Sequence, residues 1–170
     1  MKLLTTLLFL ACLSASGQRT TTPYGLIEFR NIEQVEYCIP LPLGDYQSNS
    51  STERGKLIFI NKKNKKYLMT VQGLFRSDTS VSIATYFTNT YTSKDEEEGK
   101  IIEDKELITA SNCFYAIGYW NNEINSSKFI EITWLRKDDV VKFSVSFPLK
   151  DSALWHQRLV DMTMYNSLCQ

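Results

Sequence analysis

The chain has 170 residues, with 19 Lys or Arg balanced by 19 Asp or Glu, so its formal net charge is zero. Such a chain has no global electrostatic reason to seek nucleic acid or an anionic membrane surface. Its composition is that of an ordinary globular domain except for the aromatics, nine Tyr, nine Phe and three Trp, which suit a β-rich core.

Met1 to Gly17 reads as a secretion signal. Lys2 makes the charged start, an apolar run covers Leu3 to Leu13, and Ala15 and Gly17 stand where a signal peptidase reads before Gln18. The run is too short for a membrane span, which takes about 20 apolar residues, and no later segment is long and apolar enough for one. A second reading is a lipoprotein signal, because Phe9-Leu10-Ala11-Cys12 loosely resembles a lipobox; a lipid at Cys12 would then tether the chain to a membrane. Either way the chain is exported, as a periplasmic or secreted protein or as a lipoprotein. Removal of residues 1–17 leaves 153 residues, with 18 basic side chains (19 less Lys2) against 19 acidic, the size of one domain.

Residues 18–30 are polar and Thr-rich at the start and read as a flexible leader; residues 31–170 then make one globular domain. From Asn31 to Leu43 the alternation of Val35, Tyr37, Ile39 and Leu41 predicts a strand, frayed by Pro40 and Pro42. Asp45 to Arg54 reads as a loop. Lys56 to Ile60 and Tyr67 to Val71 flank Asn61-Lys-Lys-Asn-Lys-Lys66 and predict a hairpin, whose tip lysines are solvated in the ordinary case. Ile83, Phe87 and Tyr91 recur every four residues and predict a helix within Asp78 to Tyr91, with Asp78 or Ser80 as its cap. Asp95-Glu-Glu-Glu-Gly99 lacks the alternate spacing of a calcium loop and reads as a solvated turn. Four strands follow, over 100–109, 113–120, 128–136 and 140–147, the last three joined by polar turns into an antiparallel meander. A closing helix is predicted from the stripe Trp155, Leu159 and Met162, capped by Asp151 or Ser152.

Three cysteines survive cleavage, Cys38, Cys113 and Cys169. Their spacing is too wide for a zinc motif, and His156 is the only histidine. In an exported chain the default is one disulfide and one free thiol. Strand directions in the meander place Cys113, Arg136 and Val140 at one end of the sheet, and the last turn of the closing helix returns to that end. A Cys113–Cys169 disulfide is expected, with Cys38 as the free thiol. Closing a loop of that span contributes about 4 kcal/mol on the chain-entropy model.

The closing segment, Val140-Val-Lys-Phe-Ser-Val-Ser-Phe-Pro-Leu149 followed by Trp155, Val160, Met164 and Ser167, resembles the C-terminal signature of the PsbP and DcrB-like superfamily. Ser167-Leu168 departs from the Ser-Phe pair of that signature. The resemblance implies an α+β fold, a single mainly antiparallel sheet of about six to seven strands with helices packed on its faces. It also implies a binding or assembly module with no catalytic residues.

No catalytic, cofactor-binding or metal-ligating residue is assigned. No Gly-x-Ser-x-Gly elbow or Gly-rich phosphate loop occurs. Cys38 lies in an apolar strand, where a thiol is ordinarily inert packing. Asn49-Ser-Ser and Asn125-Ser-Ser are glycosylation sequons if the chain enters a eukaryotic secretory pathway. The expected function is a non-enzymatic module acting on a protein partner in the cell envelope or outside the cell. The alternatives are a small-molecule or lipid carrier, with Tyr115, Tyr119 and Trp134 lining a cleft between helix and sheet, and a periplasmic immunity-type protein.

Overall fold

The computed structural model describes residues 19–22, 25–32, 35–41, 46–49, 55–91, 99–123 and 126–165, with backbone alone before residue 46. The putting together of the main sheet begins at its edge. β4 (Tyr46–Asn49) pairs β5 (Lys56–Asn61), which pairs β6 (Leu68–Phe75), each antiparallel. The β5–β6 connection is the lysine-bearing hairpin, and the Asn61 side chain accepts from the N–H groups of Lys63 and Asn64, closing its turn.

After β6 the chain leaves the sheet through α1 (Ile83–Tyr91) and re-enters at the opposite edge as β7 (Lys100–Ile108). β8 (Cys113–Trp120), β9 (Ser127–Leu135) and β10 (Asp139–Pro148) then meander back until β10 pairs β6. The sheet order is β4-β5-β6-β10-β9-β8-β7, seven strands, antiparallel throughout. After a short 3-10 turn, α2 (Ser152–Tyr165) ends the described chain. The fold is α+β, with one helix on each face of the sheet.

The α2 face holds the core. Val141, Phe143, Val145 and Phe147 of β10 alternate onto it, in register with Trp134, Ile132 and Ile130 of β9 and with Val71 and Met69 of β6. The stripe Trp155, Leu159 and Met162 is buried against them, with Trp155 stacked on Phe147 at 5.6 Å between ring centres. Burying a side chain of this size contributes roughly 1.5–3 kcal/mol.

Residues read from the sequence as a leader supply β1 (Arg19–Thr22) and β2 (Gly25–Ile32), which join β3 (Val35–Leu41) in a separate three-stranded sheet. The β-branched run Thr20 to Thr22 and the apolar Leu26 and Ile27 favour strand. β3 passes close to β6 and α2. β4 falls inside the segment read as a loop; it is a short edge strand with no apolar alternation to announce it. The signal segment with Cys12, Gly17 and Gln18, the acidic run 95–98, and Cys169 lie outside the described residues. Among the described residues no helix is long and apolar enough to cross a membrane.

Candidate functional site

The candidate site lies on the other face of the sheet, beneath α1. Side chains of β10 that alternate away from the core are Lys142, Ser144 and Ser146. Register extends them into rows. Lys56, Gln72, Lys142 and Thr133 form one row across β5, β6, β10 and β9. Thr70, Ser144 and Glu131 form the next. Polar residues thus occupy the centre of a sheet face that a helix overlies.

α1 covers only one flank of this face. Tyr86, Phe87 and Tyr91 set their ring centres 6.2, 5.4 and 5.6 Å from that of Phe114, which is fully buried. The helix start is capped by Ser82, whose hydroxyl accepts from the Thr85 N–H at 3.1 Å. Asp78 and Ser80, the caps expected from sequence, instead bond each other at 2.6 Å in the preceding turn. Arg76 fixes the connector: its guanidinium donates to the carbonyls of Arg136 and Val81, each at 2.7 Å. That bond set ties the approach to α1 to the β9–β10 turn.

Between α1 and the polar rows a cavity of about 620 Å³ remains. Its floor is made by the two rows, and Tyr86, Tyr91 and Trp120 contribute to its walls. Lys100 reaches Glu131 at 3.0 Å, so that carboxylate is engaged. The Lys142 ammonium stands 5.9 Å from the Tyr86 ring centre. Phe129 packs at the far margin, its ring 5.5 Å from Trp120. It lies across Gly118, where an added Cβ would fall on the Ile101 carbonyl and 3.0 Å from the end of the Phe129 ring.

The aromatics expected to line a cleft do not meet in this cavity, because they alternate onto the opposite face. Trp134 is sealed in the core at 1% exposure, its indole N–H without a hydrogen-bond partner among the described residues. Tyr115 and Tyr119 stand near the β7 edge. The Tyr115 hydroxyl donates to Glu106 at 2.9 Å and to Asp104 at 3.4 Å, and that of Tyr119 donates to Glu103 at 3.5 Å. Burial, then the Glu106 and Asp104 carboxylates, push the Tyr115 phenol up. Lys128 pairs with Glu103 at 2.6 Å and lies 4.8 Å from the Tyr119 ring centre.

Cys113 is a fully buried thiol on the α2 face, unpaired among the described residues, and pushed up to about 12 first by burial and then by the Glu106 charge. It belongs to the same buried cluster as Met162 of α2. Cys38 lies on β3, where backbone alone is described. His156 is exposed on α2, across the sheet from the cavity. Asn49 is exposed on β4. No group of three or more His, Cys, Asp or Glu among the described residues is arranged to hold a metal ion.

Sequence reasoning missed Lys142, Thr133, Ser144, Thr70 and Gln72. The available signal was the alternation of Lys142, Ser144 and Ser146 with the core residues of β10, which by itself reads as a solvated face.

No protein-family model matches the chain, and no curated protein matches it. Among solved structures, the solution structure of cyanobacterial PsbP (CyanoP) from Synechocystis sp. PCC 6803 is similar at a TM-score of 0.48 and 10% identity, over 93% of this chain and 94% of that one. The resemblance to the PsbP fold is weak.

Proposed function

We propose that this chain is an exported, non-enzymatic binding domain whose ligand sits between α1 and the sheet. The polar floor supports the reading. A helix laid on a sheet ordinarily buries apolar rows, and α1 does so only around Phe114. In the middle of the face, the side chains of Thr70, Gln72, Thr133 and Ser144 make no hydrogen bond to any described residue. Their donors and acceptors line a cavity whose volume is that of a small-molecule site. Binding asks of these groups only hydrogen bonds, whereas His156 and Cys113 stand on the other side of the sheet. Export rests on the signal pattern of residues 1–17.

An NMR screen of the folded chain against a fragment library tests the reading. Amide shifts should gather on Thr70, Gln72, Thr133, Lys142 and Ser144. Hits that scatter, or that gather on the α2 face, sink it.

A protein partner is the second reading, and one observation favours it. β7 is an outer edge of the sheet and carries exposed Glu103, Asp104 and Glu106 beside Ile101, which is 41% exposed. Such an edge suits a basic partner, whether an assembly factor or the target of an immunity-type protein. Charge reversal at Glu103 and Glu106 should weaken capture of that partner, and unchanged capture would exclude this edge.

A further inference from the structure

We propose that the cavity takes a small organic anion, a carboxylate or a phosphate monoester, with Lys142 as the group that holds its charge. The proposal rests on the binding reading above and adds the chemistry of the ligand. Lys142 sits on β10 between Gln72 and Thr133 and is half-buried. Among the described residues its ammonium makes no ion pair and no hydrogen bond; its one contact is the Tyr86 ring, 5.9 Å from ammonium to ring centre. An ammonium partly withdrawn from water without a counter-charge is unfavourable. A ring face at that distance offsets only part of the cost.

Glu131, in the adjacent row, does not supply the missing charge, since Lys100 already engages it at 3.0 Å. The neighbours of Lys142 are donors of another kind. Gln72, with an amide, and Thr133, with a hydroxyl, flank Lys142 at the roughly 4.8 Å spacing of neighbouring strands, and the Ser144 hydroxyl lies two residues along β10 on the same face. A carboxylate or phosphate has several acceptor oxygens and can engage the ammonium and these donors together. Trp120, Tyr86 and Tyr91 line the cavity and supply aromatic surface for the body of the ligand. A cationic ligand would meet Lys142 as a like charge, and a neutral one would leave it uncompensated.

The test titrates the full chain with phenyl phosphate, benzoate, benzamide and benzylamine, followed by amide correlation spectra. The two anions should shift Gln72, Thr133, Lys142 and Ser144 and bind at least about tenfold tighter than benzamide, a gap of about 1.4 kcal/mol. Comparing phenyl phosphate with benzoate separates the phosphate from the carboxylate source. Lys142→Met keeps the apolar stem and should erase the preference, while Lys142→Arg should restore it. If the Met variant does not fold, Lys142→Gln takes its place. Benzamide binding as tightly as the anions at the same amides overturns the anion assignment and leaves the cavity reading standing. Anion shifts confined to the lysine-bearing tip of the β5–β6 hairpin overturn it, as does an unchanged affinity in Lys142→Met. Absence of any shift from the anions also overturns it, and the fragment screen then decides the cavity reading separately.

Discussion

Alternate residues of β10 do two jobs, and the division is visible one side chain at a time. Val141, Phe143, Val145 and Phe147 are almost wholly buried against α2, while Lys142, Ser144 and Ser146 face the cavity side. A shift of one residue in register would exchange the two sets, which the burial of the first forbids. At the same scale, Glu123 holds the β8–β9 turn. Its carboxylate accepts from Lys66 at 2.6 Å, linking the hairpin tip to that turn, and from the fully buried Ser127 hydroxyl. These two partners, Lys66 first, hold the Glu123 carboxyl below its ordinary value of 4.5. A lowered folded pKa stabilises above the ordinary value and loses that contribution as the pH falls through the folded one. Glu123→Gln should therefore cost about 1 kcal/mol at pH 7. Urea unfolding over a pH series should show the gap between variant and parent closing as the pH falls below 4.5. A gap independent of pH would remove the ion pair from the account.

At the scale of elements, α1 is the piece that makes a cavity out of a sheet face. No residue of α1 is fully buried, so its place depends on few contacts: the Phe114 cluster, the Ser82 cap and the Arg76 anchor. Arg76→Met removes three charge-assisted bonds, to Arg136, Lys137 and Val81. Hydrogen exchange should then quicken in α1 by at least about tenfold while β8 to β10 keep their protection, a local opening and not a global one. Uniform loss of protection across the sheet would show that Arg76 serves the core instead. Both helices were legible in the sequence, because Ile83, Phe87 and Tyr91, and Trp155, Leu159 and Met162, follow helical spacing. The cap of α1 was not, since Asp78 and Ser80 satisfy each other and leave the role to Ser82. β4 was not legible either, because an edge strand of Tyr46-Gln-Ser-Asn49 buries no apolar row.

Over the whole molecule, the decisive event is the return of β10 to pair with β6. Asp139 faces Phe75 and Val145 faces Met69 across that pairing, after the chain has crossed to the far edge and come back. The meander of β8, β9 and β10 could be read locally, strand by strand. The β6–β10 pairing could not, because nothing in the residues around Met69 to Phe75 names its partner. The polar rows exist only once that pairing is made, since it sets Gln72 beside Lys142 and Thr70 beside Ser144. For this reason the sheet and its helices were legible while the candidate site was not, and the aromatics expected to line a cleft, Tyr115, Tyr119 and Trp134, alternate onto the face opposite the cavity.

The space between α1 and the sheet is proposed as a ligand site. Ser144→Trp tests it most directly, by setting a large side chain in the middle of the floor. The cavity, at about 620 Å³, has room for an indole, so the variant should keep the parent's far-ultraviolet spectrum and melting temperature. Fragments that bind the parent at Thr70, Gln72 and Lys142 should bind this folded variant at least about tenfold more weakly, since the indole occupies their place. Undiminished binding by a folded Ser144→Trp protein would contradict it.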